Sequence, residues 1–331
     1  MTDTPVLSVR DLTVEIPTRH GILRPVDHVS YDIRAGEILG VVGESGAGKS
    51  MTGNAVIGLL DPPARITGGE VLLKGEPIHD IPRSKLRRLR GKHMGMIFQD
   101  PLTSLNPLLT IGDQLTETIT EHLNVGQDEA RKRAIAALDE VGIPAASARI
   151  DSYPHEFSGG MRQRVVIALA LCAEPELVIA DEPTTALDVS VQAQIVSLLK
   201  RLCRERGVAV MLVTHDMGVI AEAADRVAVM YAGRLAELGP VREVITNAHH
   251  PYTAGLMAST PLASVGQKRL KQIPGAMPRL GALPDGCAFH PRCEYAQDKC
   301  RREPGPSIEA CDGRAACWFP LGTTQKEDTV A

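Results

Sequence analysis

The chain has 331 residues, 44% hydrophobic and 23% charged, with a formal net charge of -4. That length can bury a sizeable core and accommodates one large domain plus a smaller one. The charge balance provides no basic field for nucleic acid, and the longest apolar run, Val165 to Ala173, is far short of the ~20 residues needed to span a bilayer.

The opening "MTDTPVLSVRDLTVEIP" lacks a basic segment followed by an apolar core. The expectation is a chain that stays in the cytosol, with its thiols reduced. Glu37 to Val42 predicts a short buried strand and Ser50 to Leu60 a helix. Between them, "GESGAGKS" (Gly43, Glu44, Ser45, Gly46, Ala47, Gly48, Lys49, Ser50) fits G-x-x-x-x-G-K-[ST] in the strand–loop–helix context that pattern requires. Glycines let backbone N–H groups curl around phosphate oxygens, and the helix N-terminus adds the positive end of its dipole. Lys49 is expected to reach the β- and γ-phosphates of ATP, and the Ser50 hydroxyl to ligate Mg²⁺.

Arg83 to Lys92 is a basic run that reads as a solvated face. "IGDQLTETITEHL" and "QDEARKRAIAALDEVGI" place apolar residues at helical spacing between charged faces. Glu176 to Pro183 reads as a parallel strand delivering Asp181 and Glu182 at its C-terminal end, the edge where such sheets gather ligands. Asp181 is expected to hold Mg²⁺ through water, and Glu182 to polarise the attacking water. Val208 to Val213 is a further β-branched strand, expected beside the one carrying Glu182. It ends at His215, whose imbidazole would sit where it can hydrogen-bond the γ-phosphate.

Five of the seven cysteines fall near the end, at Cys287, Cys293, Cys300, Cys311 and Cys317. In a reducing compartment such clustering points to metal rather than disulfides. No short C-x2-4-C pair is present, which weakens the case for zinc. A bulkier [4Fe–4S] cluster suits four well-spaced thiolates, with Zn²⁺ as the alternative. His249, His250 and His290 are possible zinc donors that read as surface residues. The Pro-rich stretch before the cysteines is expected to bury little, so the cysteine site would supply its stability.

"SYPHEFSGGMRQRVVIALAL" contains Phe157-Ser158-Gly159-Gly160-Met161, which resembles the signature of ATP-binding cassettes. With the phosphate loop, Gln99 in "MIFQDPLTSLNP", "VIADEPTTALD" and His215 in the same order, nearly the whole chain resembles the ATPase subunits of dipeptide and oligopeptide importers, a family that includes nickel and glutathione import ATPases. The resemblance implies an α/β P-loop (RecA-like) ABC nucleotide-binding domain over 1–250, with a helical subdomain at about 100–170. A small cysteine-rich extension would occupy 251–331.

It further implies two cassettes closed head to tail over two ATP molecules. Gly43 through Met51 would contact one nucleotide, while Ser158, Gly159 and Gly160 reach the γ-phosphate held by the partner cassette. Gln99 would contact Mg²⁺ and the attacking water, Glu182 would act as general base, and Thr184 to Asp188 would form the loop that contacts the partner. His20 falls where the adenine-stacking aromatic of many cassettes lies, with Ile22 and its neighbours as the alternative support for the base. The family's tails associate with [4Fe–4S] binding in several members, and Cys287, Cys293, Cys300 and Cys317 match them, with Cys311 as the substitute fourth ligand. The implied partners are a second ATPase subunit, a paralogue by family preference, two membrane permeases and an extracytoplasmic solute-binding protein, with no nucleic acid. The implied location is the cytoplasmic face of a bacterial inner membrane. The rival reading is a soluble cassette ATPase acting on DNA or ribosomes, whose second cassette, coiled coil or basic domain this sequence lacks.

Overall fold

Among the described residues ten strands are formed: β1 Leu7–Thr18, β2 Gly21–Ile33, β3 Ile38–Val42, β4 Arg65–Leu73, β5 Glu76–Pro77, β6 Met94–Ile97, β7 Leu177–Asp181, β8 Ala209–Thr214, β9 Arg226–Tyr231 and β10 Arg234–Pro240. The structure is a computed structural model that describes residues 4–185, 187–260, 272–310 and 314–322. The strands make an antiparallel sheet in the order β2-β1-β4-β5 and a six-stranded sheet in the order β10-β9-β3-β8-β7-β6. In the larger sheet β9, β3, β8, β7 and β6 run parallel, and β10 closes one edge antiparallel.

The parallel strands are apolar on both faces because both are covered. Every residue of β3 and β8 is buried. Side chains alternate between two cores. Ile38, Val42, Val178, Val210 and Leu212 pack with the helical segment, whereas Leu39, Val41, Ile179, Met211 and Val213 pack with Leu7, Leu12 and Val26 of the antiparallel sheet. The helical segment carries Ile111–His122, Gln127–Glu140 and Gly159–Leu171. Its first helix starts with a reciprocal cap between Thr110 and Asp113 and buries Ile111, Leu115 and Ile119 on one side, as the apolar spacing predicts. The basic Arg83–Leu89 helix buries none of its residues, in line with a solvated face.

The tail buries more than its composition suggests. The Pro251–Ala258 helix is capped by His250, which is 5% exposed rather than at the surface. Phe289 and Arg292 are also buried, with Phe289 edge-on to Tyr231 and Tyr252 at 5.2 and 5.4 Å. The chain then returns to the cassette, where Ala315 bridges Glu237 of β10.

Candidate active site

The strand-to-helix turn after β3 is shaped by close backbone approach. Gly48 has φ 104°, and a Cβ there would collide with the carbonyl oxygen of Pro25. Only glycine serves at such a position. The helix that follows, Lys49–Ile57, is shorter than the predicted Ser50–Leu60 because Gly58 ends it in the left-handed conformation.

Lys49 is 6% exposed. Its Nζ donates to the carbonyl oxygens of Gly43 (2.8 Å) and Glu44 (3.1 Å), folding the side chain back over the loop. Burial lowers its pKa, against the pull of the Glu182, Asp181 and Glu44 carboxylates. Ser50 Oγ donates to Asp181 Oδ1 at 3.0 Å. Burial raises the Asp181 pKa, aided by the neighbouring Glu182 charge and opposed by the Ser50 hydrogen bond and Lys49. A hydroxyl and a carboxylate presented together are hard oxygen donors of the type Mg²⁺ selects.

Parallel register brings the other groups to the same edge, since Val42 pairs with Thr214 and Asp181 with Val213. Glu182 follows β7 directly and sits at φ 47°, a sparsely populated conformation for a non-glycine residue. Its Oε2 accepts from Gln99 Nε2 (3.0 Å) and Thr185 Oγ1 (2.8 Å), and its Oε1 lies 3.2 Å from His215 Nδ1. Burial would raise its pKa, but the Thr185 and His215 hydrogen bonds and the charges of His215 and Lys49 prevail, so it lies below its ordinary value. Gln99, Glu182 and His215 come from three separate strand ends and converge on one carboxylate.

Ser158 caps the Gly159–Leu171 helix, its Oγ accepting from the Met161 N–H. Ser158 and Gly159 are exposed, leaving this helix N-terminus open. Gly160 lies against Val191, where a Cβ would be crowded. Asp188 caps the adjoining Val189–Arg206 helix and accepts from the Val191 N–H, which holds its pKa down. Met51 is half-buried and packs on the antiparallel-sheet core. His20 is exposed at the β1–β2 turn, its backbone N–H bonded to Thr18 Oγ1. The β2 residue that reaches the phosphate loop is Pro25.

Cys287, Cys293, Cys300 and Cys317 line one small cavity with Phe289, Trp318 and Phe319. Burial pushes the thiols of Cys287 and Cys293 up, and that of Cys317 up to about 12. Among the described residues, no group of three or more His, Cys, Asp or Glu side chains converges closely enough to hold one metal ion. His250 is buried against Phe289 and lowered by burial to a pKa of about 4. Cys311 and Ala186 lie outside the described residues.

Sequence reasoning missed two residues and one role of a third, Thr185, which it places only in the partner-contacting loop. Thr185 supports Glu182, Tyr252 Oη accepts from the Glu44 N–H at 3.0 Å, and Arg292 pairs with Glu44 in two hydrogen bonds of 2.7 and 2.9 Å. Thr185 is within the quoted "DEPTTALD", where its hydroxyl is a visible candidate. The other two partners are remote in sequence and carry no local pattern.

Fold and site together define a P-loop ATPase, with the N-terminus of the Gly159–Leu171 helix open at its surface. The ABC transporter family matches residues 26–185, and the oligopeptide/dipeptide transporter C-terminal region matches residues 236–300. A dipeptide transport ATP-binding protein of Bacillus subtilis is 46% identical over 95% of this chain and 94% of its own length. An oligopeptide transport ATP-binding protein of Escherichia coli is 47% identical over 96% of this chain and 94% of its own. The dimeric ATP-binding cassette MJ0796, bound to ADP and phosphate, superposes with a TM-score of 0.64 and 29% identity, covering 71% of this chain and 99% of that one. The chain belongs to the ABC transporter family, among its dipeptide and oligopeptide ATP-binding proteins.

Proposed function

We propose that this chain hydrolyses ATP to energise import of peptides or a related solute through membrane permeases. The observation that carries the reading is the convergence of Gln99, Glu182 and His215 at the sheet edge that also holds the phosphate loop. Gly43 to Ser50 cradles the phosphates, with Lys49 turning from its loop carbonyls to the β- and γ-phosphates. Ser50 and Asp181 would hold Mg²⁺, which when bound offsets charge on the phosphate oxygens. Glu182 is kept ionised by its hydrogen bonds and accepts the proton of the attacking water. Gln99 orients that water, and His215 contacts the γ-phosphate.

The open helix N-terminus at Ser158, Gly159 and Gly160 fits a γ-phosphate held by a partner cassette, and Asp188 faces the same joint. The full assembly would contain a second ATPase subunit, a paralogue, with two permeases and a solute-binding protein. Among the described residues no helix is long and apolar enough to cross a membrane. The proposed placement is peripheral, at the cytoplasmic face of the membrane, with the cassette spanning 1–250 and the extension 251–331.

We also propose a [4Fe–4S] cluster held by Cys287, Cys293, Cys300 and Cys317. Four cysteines around one cavity support it. A cluster is larger than one ion, so its ligands need not converge on a point. When bound it would tie the tail loops together.

The test is co-expression with the permeases and partner ATPase, reconstitution into vesicles, and assay of ATP-dependent peptide uptake. Uptake that Glu182→Gln abolishes supports the reading. Association with ribosomes or DNA, without membrane subunits or uptake, overturns it. Anaerobic purification with iron and sulfide analysis decides the cluster, and stoichiometric zinc without iron or sulfide overturns it.

A further inference from the structure

Glu44 is the second residue of the phosphate loop, and its carboxylate is an anion placed beside a cradle for anions. Its charge is felt there, since it is one of the three carboxylates that pull up the pKa of Lys49. Arg292 answers it from the far end of the chain. Nη1 and Nη2 donate to Oε2 and Oε1 of Glu44 at 2.7 and 2.9 Å, a fork-to-fork pair. The guanidinium has no freedom to leave. Its side chain is 5% exposed, Nε donates to the Pro274 carbonyl at 2.9 Å, and its Cζ lies 5.8 Å from the centroid of the Tyr231 ring. Two further tail contacts reach the same loop: Tyr252 Oη accepts from the Glu44 N–H, and the Met277 methyl lies against Gly46.

We propose that Arg292 is a positioning residue for the phosphate loop, neutralising and orienting Glu44 so that the loop accepts the ATP polyphosphate. The inference rests on the reading of Gly43 to Ser50 as the ATP site. It follows that the folded tail, docked through Arg292, Tyr252 and Met277, is part of what makes that site competent. Arg292 acts on the loop through its pair with Glu44.

The physical consequence is conditional. Without Arg292, the Glu44 carboxylate is left unpaired and repels the incoming phosphates. Without the Glu44 charge, the loss of Arg292 no longer has that effect.

The test measures KM and kcat for ATP in the reconstituted complex carrying R292Q, E44Q or both, with thermal melts of each variant. R292Q should raise KM about three- to tenfold, with kcat changed less than about twofold. In the E44Q background, adding R292Q should change KM less than about twofold. An unchanged KM in R292Q overturns the proposal. So does an R292Q penalty of the same size in both backgrounds, which is what loss of packing alone would give. If R292Q does not fold, the comparison of E44Q with the double variant decides. A folded double variant with KM near that of E44Q supports the proposal, and an unfolded or weakly binding one overturns it. A wild-type complex that does not hydrolyse ATP would sink the transport reading instead, and the two failures are therefore distinguishable.

Discussion

Ser50 and Asp181 lie 131 residues apart and share a hydrogen bond of 3.0 Å between hydroxyl and carboxylate. The buried carboxylate in this contact is placed in a conflict between stability and activity. Burial raises the Asp181 pKa, so the folded state holds its proton more tightly than the unfolded chain. Its stability contribution is thus fully present below the unfolded pKa, near 3.8, and is lost as pH rises through the folded one. Near neutral pH the ionised carboxylate is a cost that Mg²⁺ and ATP would offset. Asp181→Asn should therefore raise the melting temperature of the nucleotide-free protein at pH 7 while lowering turnover about 100-fold or more. Calorimetry and phosphate release on the same preparation check both halves.

Glu182 makes the opposite case, because its pKa is held down. It remains a carboxylate throughout the neutral range, and its stabilising hydrogen bonds are lost only as pH falls through its folded pKa, below the ordinary 4.5. Glu182→Gln keeps the shape and loses the base, so turnover should drop about 10²- to 10⁴-fold with ATP affinity retained. Thr185→Val removes one hydrogen bond to the carboxylate and should lower turnover by a smaller factor, about 3- to 30-fold. Equilibrium binding of a fluorescent ATP analogue separates affinity from turnover in both variants.

How far these groups could be found without coordinates follows from the distance over which each is specified. Gly43 to Ser50 is a contiguous pattern whose chemistry is local, and β3 and the Lys49–Ile57 helix flank it as its spacing predicts. Asp181 and His215 are legible because they end apolar runs, and parallel register then aligns such ends; β7 and β8 do pair as neighbours. Arg292 is 248 residues from Glu44, and nothing in "HPRCEY" distinguishes it from a solvated arginine. His250 likewise reads as a surface residue in "NAHHPY", yet it is buried because the tail folds over it. His20 falls at the count where a stacking aromatic belongs, but a count along the chain cannot show that the β1–β2 turn leaves it exposed.

The cysteines divide by environment. Cys172 and Cys203 sit in the helical-segment core with pKa values pushed up to about 12 and about 11, chiefly by burial. The thiolate is the reactive form, so at pH 8 both should resist iodoacetamide for as long as the protein stays folded. Peptide mapping by mass spectrometry should show them labelled only after denaturation. Labelling of Cys203 in native protein would contradict the packing described for it.

Tyr252 is fully buried, and its hydroxyl accepts the Glu44 N–H. Tyr252→Phe keeps the ring contacts with Tyr231 and Phe289 and removes only the acceptor, leaving a loop N–H without its partner. An unsatisfied donor in such a place costs about 1–3 kcal/mol, which for a chain of this size corresponds to a melting temperature lower by a few degrees. Because the orphaned N–H belongs to the phosphate loop, bound nucleotide should restore part of the loss by rigidifying it. Melting curves with and without ATP analogue should therefore converge more closely for the variant and wild type when nucleotide is present. Equal differences in the two conditions would mean that the Tyr252 hydroxyl supports the tail alone and not the loop.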